Sequence, residues 1–149
     1  MPLHLQAIQH YSAYQERCHS EVRSKLLELG FRGNDLEEAI SSLIADNFLN
    51  EERYAQLYCG GKFRINKWGR KKIIQELKKK KVSDYCIRKG LKEIKDQEYW
   101  ETLQGLASKK MLEINAKEKN VWIRKQKLQR YLMQKGYETD LINDILKTA

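Results

Sequence analysis

The chain has 149 residues, which suits one ordinary domain and argues against two independent cores. Its 41% hydrophobic and 33% charged residues fit a small helical protein with a narrow core and a large wet surface. Lys and Arg number 29 against 20 Asp and Glu, and this net charge of +9 sets a standing positive potential for which nucleic acid, an acidic protein groove or anionic lipid is the candidate partner.

Pro2 is the only proline, so little interrupts helix formation, and an apolar period of 3.6 dominates with no strand alternation. Nine helices are predicted. The first covers about Leu3 to Glu16. The second follows Ser20 as N-cap, carries Val22, Leu26, Leu27 and Leu29, and stops at Gly30. The third follows a cap at Asn34 or Asp35 and turns Leu36, Ala39, Ile40, Leu43 and Ile44 inward. Asn50-Glu51-Glu52 opens the fourth, and Gly60-Gly61 beyond it reads as a kink or loop. The basic stretch NKWGRKKIIQELKKKK, residues 66–81, holds the fifth. Ser83-Asp84 caps a short sixth through Leu91. The seventh spans about Asp96 to Ala116, the eighth about Lys119 to Lys135, and Thr139-Asp140 starts the ninth.

No apolar run approaches the ~20 residues needed to cross a bilayer, and the first residues lack the apolar core of a signal peptide. A cytoplasmic monomer that avoids membranes is expected. Cys18, Cys59 and Cys86 are too far apart for a CxxC motif and read as ordinary, partly buried thiols. His4, His10 and His19 are not completed into a metal ligand set. There is no GxxxxGK[ST] loop, no HExxH and no carboxylate cluster suited to metal catalysis, so no catalytic residue, metal or cofactor is expected. Glu37-Glu38 and Glu51-Glu52 sit at helix starts, where they complement the helix dipole.

The helices repeat. VRSKLLELGF (22–31), IIQELKKKKV (73–82) and LQRYLMQKGY (128–137) align Leu26 with Leu77 and Leu132, Gly30 with Lys81 and Gly136, and Phe31 with Val82 and Tyr137. Each is followed by a capping residue and a short amphipathic helix. The equivalent leucines are 51 and 55 residues apart. The fold class expected is all-α, an elongated, curved array of three tandem three-helix repeats at residues 1–48, 49–96 and 97–149.

On the fifth helix, Ile73, Ile74 and Leu77 fall within about 100° of one another and face the core. Lys71 and Lys78 project roughly opposite, and Lys72 and Lys79 form a second row beside them. Such a face is either solvated or turned to a polyanion. The basic character of the equivalent helices, with Arg23 and Lys25 on one and Arg124, Lys125, Lys127 and Arg130 on the other, favours the polyanion. Lysines of this kind neutralise charge rather than read bases. Trp68, Tyr99, Trp100 and Trp122 are candidates for stacking on bases, although aromatics at helical spacing belong more often to a core.

The repeats resemble the RecX family of bacterial recombination regulators over nearly the whole chain. Ser20, Glu21, Val22, Arg23, Lys25, Leu26, Gly30 and Phe31 fit one motif of that family. FLNEERYA at 48–55, then Gly69, Ile73, Glu76 and Leu77, fit a second. Arg124, Lys127, Leu128, Leu132, Lys135, Gly136 and Tyr137 fit a third. The resemblance implies a non-enzymatic modulator that binds in the groove of the RecA–single-stranded DNA filament and inhibits ATP hydrolysis and strand exchange. Some members also bind single- or double-stranded DNA directly, and a stand-alone basic DNA-binding protein is the alternative. Lys67, Arg70, Lys71, Lys72, Lys78 and Lys79 are the candidate contacts, extended by Arg23, Lys25, Arg124, Lys127 and Arg130. One departure is Lys81, where the family pattern has glycine: either that turn is formed differently or the lysine accepts mild strain.

Overall fold

The computed structural model describes the backbone of residues 2–148 and the side chains of residues 6–148. Among these there are nine helices and no strand: α1 (Pro2–Tyr14), α2 (His19–Glu28), α3 (Gly33–Ala45), α4 (Glu51–Asn66), α5 (Arg70–Lys79), α6 (Asp84–Leu91), α7 (Asp96–Lys117), α8 (Val121–Lys135) and α9 (Thr139–Lys147). The protein is an all-α helical repeat array. No described helix is long and apolar enough to cross a membrane.

Three boundaries differ from the sequence expectation. Helix α2 starts behind Cys18 rather than Ser20, because Glu21 reaches back to accept from the Cys18 amide at 3.0 Å. The Ser20 hydroxyl is drawn away to donate to the carbonyl of Lys80 at 2.6 Å. Asn34 and Asp35 lie inside the first turn of α3, whose N-cap position is Arg32 and has no side-chain cap. Helix α4 runs unbroken through Gly60 and Gly61, correcting the expected kink or loop. Two glycines cost a helix interior about 1 kcal/mol each, but Cys59 and Phe63 on either side are buried and hold the segment in place. Ser83 caps as expected, accepting from Cys86 N at 3.2 Å, and Asn50, where the fourth helix is expected to open, accepts from Arg53 N at 2.9 Å.

The described residues fall into two compact units. One takes the chain up to Cys59 together with Glu76–Glu93; the other takes Gly60–Gln75 and the chain from Ile94 onward. Helices α4 and α5 therefore contribute one part to each. In the first unit α1, α2 and α3 close on a core that includes Ile8, Val22, Leu26, Phe31, Ile40 and Leu43. In the second unit α7 packs on α8 and α8 on α9, around Tyr99, Leu103, Leu128, Leu132 and Ile142.

The three aligned turns have the same geometry. Leu26, Leu77 and Leu132 are all 0% exposed. Four residues beyond each leucine, one or two residues past the helix end, stands a residue with positive φ: Gly30 (98°), Lys81 (62°) and Gly136 (98°). The next amide then folds back on the aligned leucine: Phe31 N–H to Leu26 O at 3.0 Å, Val82 N–H to Leu77 O at 3.1 Å, Tyr137 N–H to Leu132 O at 3.2 Å. A second bond, from Gly30, Lys81 and Gly136 to the carbonyls of Leu27, Lys78 and Met133, completes a Schellman closure each time. The apolar residue after the turn, Phe31, Val82 or Tyr137, is buried.

Lys81 thus forms the same turn as the two glycines, in a left-handed conformation that disfavours a Cβ. Lys81→Gly is expected to raise stability by about 1 kcal/mol, read as a higher urea midpoint with an unchanged m-value. A midpoint that falls would show that the lysine side chain, not the turn, controls this position.

Candidate functional site

Helix α5 is held at both ends by the closing turns just described. In the second unit its first amides meet the C-terminal carbonyls of α8: Gly69 N–H donates to Lys135 O at 2.7 Å and Lys71 N–H to Gly136 O at 2.9 Å. Unpaired donors at one helix start therefore satisfy unpaired acceptors at another helix end, with the two dipoles aligned favourably. Contact is so close that a Cβ on Gly69 would lie 2.3 Å from the carbonyl carbon of Gly136. The Tyr137 hydroxyl adds a bond to Lys67 O at 2.9 Å, and Lys67 itself takes a positive φ of 61°.

In the first unit a related contact, made by a side chain, occurs one repeat earlier. Lys80 is aligned with Lys135 and Ser20 with Lys71. The Ser20 hydroxyl bonds to Lys80 O where the Lys71 amide reaches the α8 end, and Lys80 Nζ lies 3.9 Å from Glu21. A helix head thus meets a helix tail in both units, through main-chain bonds in the second and through the Ser20 side chain in the first.

The fold engages some of the candidate residues internally and leaves others free. Arg70 is tied in: its guanidinium lies over the Tyr99 ring at 3.9 Å, bonds Glu138 at 3.1 Å and Asp96 at 2.7 Å. Its amide donates to the Tyr99 hydroxyl at 3.0 Å, and that hydroxyl in turn donates to Glu138. Burial, reinforced by Glu138, pushes the Tyr99 phenol well above its ordinary value, so it stays protonated. Arg70 therefore pins the heads of α5, α7 and α9 together. Lys72 lies over the Trp68 ring at 4.5 Å, with Lys62 4.9 Å from the same ring. Lys79 pairs with Glu76 at 3.2 Å. Lys71 and Lys78 are exposed and, among the described residues, have no ion-pair partner; Lys67 is likewise exposed. Ile73 and Leu77 anchor the helix at 0% exposure, whereas Ile74 is only half-buried.

The flanking candidates are less free than the sequence suggests. Arg23 is bound by Glu37 at 2.7 Å, and that bond holds the Glu37 carboxyl below its ordinary value. Lys25 lies 3.7 Å from Glu28 and 5.6 Å from the Tyr11 ring. On α8, Arg124 donates to the carbonyl of Glu118, and Lys127 pairs with the Glu118 carboxylate at 3.5 Å. Arg130 is exposed and opens on a groove of about 340 Å³ between α7 and α8, shared with Lys110, Lys117 and Tyr131, none of which the sequence singles out. Of the aromatics, Tyr99 is core, Trp68 and Trp100 are half-buried, and Trp122 is exposed rather than packed.

Burial raises the Cys59 thiol to about 12 and also raises Cys18, so neither is a nucleophile near neutral pH. No group of three or more His, Cys, Asp or Glu suited to a metal occurs among the described residues; the side chain of His4 lies outside them.

These features define a protein of tandem three-helix units joined helix head to helix tail, with a lysine face on its central helix. Two family domains match the chain in order: "RecX, second three-helix domain" over residues 50–91 and "RecX, third three-helix domain" over residues 96–146. The regulatory protein RecX of Clostridium perfringens (strain 13 / Type A) is 36% identical over 131 residues, covering 88% of this chain and 61% of that protein. The regulatory protein RecX of Bacillus cytotoxicus is 31% identical, over 97% of this chain and 52% of its own length. The crystal structure of RecX from Lactobacillus salivarius superposes with a TM-score of 0.87 at 26% identity, covering 99% of this chain and 94% of that one. The chain belongs to the RecX family. It spans about three fifths of the length of the Clostridium relatives that it matches.

Proposed function

We propose that this chain is a non-enzymatic regulator of homologous recombination that docks on the RecA–single-stranded DNA filament and restrains ATP turnover and strand exchange. The observation that carries this reading is the exposed Lys71 and Lys78 on the outward side of α5, which have no ion pair among the described residues, in a chain whose relatives are named regulatory proteins. The three repeats, at 1–48, 49–96 and 97–149, act in the cytoplasm as a monomer laid along the filament groove. Opposing the subunit rearrangements that accompany ATP hydrolysis requires binding to neighbouring subunits at once, which suits a tandem array better than a single compact patch. Lysine ammoniums on α5 meet DNA phosphate or acidic protein without reading sequence.

The test is RecA ATPase on single-stranded DNA as a function of added protein. Wild type should inhibit at sub-stoichiometric ratios. Lys71→Ala with Lys78→Ala should shift half-inhibition to about tenfold higher concentration, and its dependence on salt should flatten, because each lost phosphate contact removes about 0.7 from the log–log slope on single strands. No inhibition by saturating wild type sinks the proposal. Equal affinity for naked and RecA-coated DNA would instead mark a stand-alone DNA-binding protein.

A further inference from the structure

The shared turn geometry lets the outward faces of α2, α5 and α8 be compared residue by residue. Aligned on Leu77 and Leu132, Lys71, Ile74 and Lys78 of α5 correspond to Gln126, Gln129 and Met133 of α8, and α8 carries the stripe one turn further back to Trp122, whereas the aligned Lys67 precedes α5 and has a positive φ. On α2 of the first repeat the equivalents are Ser20, Arg23 and Leu27. The same face is thus lysine-rich in the centre but carries no charge along the stripe of α8.

That stripe is open and continuous. Spacings of four, three and four residues keep its members on one side of the helix over about 16 Å. Trp122 is 68% exposed at one end and Met133 52% exposed at the other. Between them Gln126, Gln129, Arg130, Met133 and Gln134 line a shallow groove of about 430 Å³. A large exposed indole and a thioether joined by amides make poor phosphate ligands. They are the residue types that anchor protein interfaces, where an aromatic fills a socket and amides satisfy the polar rim. Charge narrows the partner further. Helix α8 contains Arg124, Lys125, Lys127, Arg130 and Lys135 and no Asp or Glu. Glu118, beyond its start, engages only Arg124 and Lys127 among these cations, and among the described residues Lys125 and Arg130 have no ion pair.

We infer that α8 is a dedicated protein-docking helix, distinct in task from the lysine face of α5, and that it takes a protein surface offering apolar sockets for Trp122 and Met133 ringed by carboxylates. The inference rests on the reading above for where that surface resides, namely on the RecA filament. It adds a division of labour: phosphate is met by α5, protein by the outward stripe of α8.

Two probes separate the tasks: an oligo-dT strand coated with RecA and held by a non-hydrolysable nucleotide, and the same strand naked. Trp122→Ala with Met133→Ala removes two exposed side chains from a helix surface, and an unchanged thermal unfolding curve verifies that the fold survives. This variant should lose at least about tenfold in affinity for the coated strand, the truncation of one or two anchor residues, while binding the naked strand within about twofold of wild type. Lys71→Ala with Lys78→Ala should weaken naked-strand binding. Unchanged binding of the Trp122/Met133 variant to the coated strand overturns the inference and leaves the functional reading standing. Equal losses on both strands overturn it as well, assigning the stripe to DNA. Failure of wild type to bind the coated strand defeats the functional reading and this inference together.

Discussion

Gly69→Ala is expected to remove about 3 kcal/mol or more of stability, whereas Gly30→Ala should remove only about 1–2 kcal/mol. A Cβ on Gly69 would sit 2.3 Å from Gly136 C, 2.4 Å from Gly136 O and 2.5 Å from Tyr137 N. All three atoms are backbone, so no side-chain rotation relieves the clash. The joint has to open by about an ångström, weakening the bonds from Gly69 to Lys135 and from Lys71 to Gly136 in the process. Gly30 differs in kind. Its φ of 98° disfavours alanine, yet nothing lies within 4 Å of the added methyl. Urea unfolding of the two variants side by side isolates the contact from the backbone strain. Equal losses would mean that the Gly69–Gly136 approach contributes nothing.

A second large effect is expected at Arg70. Arg70→Met keeps most of the aliphatic stem but removes the guanidinium, leaving Glu138 without its cation and Tyr99 without the charge over its ring. The Glu138 side chain is only 28% exposed and Tyr99 is 1% exposed, so water restores little of what is lost. Breaking a buried pair from one side costs roughly 3–5 kcal/mol, and partial exposure brings the expectation to about 2 kcal/mol. Asp96→Asn is the control. Asp96 is 98% exposed, and its pair with the same arginine should be worth at most about 0.5 kcal/mol. If Asp96→Asn costs as much as Arg70→Met, the buried side of the network is not what holds the three helix heads.

Much of this architecture was legible in the amino-acid sequence because its cause is local. A leucine in register, a stop residue and an apolar residue after it mark a closing turn, and the three turns match down to individual hydrogen bonds. Lys81 shows how the pattern overrides propensity: the turn forms with a lysine where glycine is easier. What stayed hidden depends on residues distant in sequence. Arg70 reads as one more cation in a basic run, and nothing near it announces Tyr99, Asp96 or Glu138. Ser20 reads as a cap because its use by Lys80, 60 residues away, has no local signal. Gly60-Gly61 reads as a break because composition registers the missing side chains but not the buried neighbours beside them in the unbroken α4. The uncharged stripe from Trp122 to Met133 was available as a helical spacing, but a charge-based search passes over it.

The junction in the second unit has a consequence for inheritance. Two of its links join main-chain groups to main-chain groups, so they ask almost nothing of side chains beyond leaving room at Gly69 and Gly136. Lineages are then free to rewrite what the helices display while passing on how they are joined. A relative sharing 26% of its residues can keep nearly the same fold, and neighbouring repeats in one chain can diverge from lysine to methionine at equivalent positions, Lys78 and Met133, without renegotiating the scaffold.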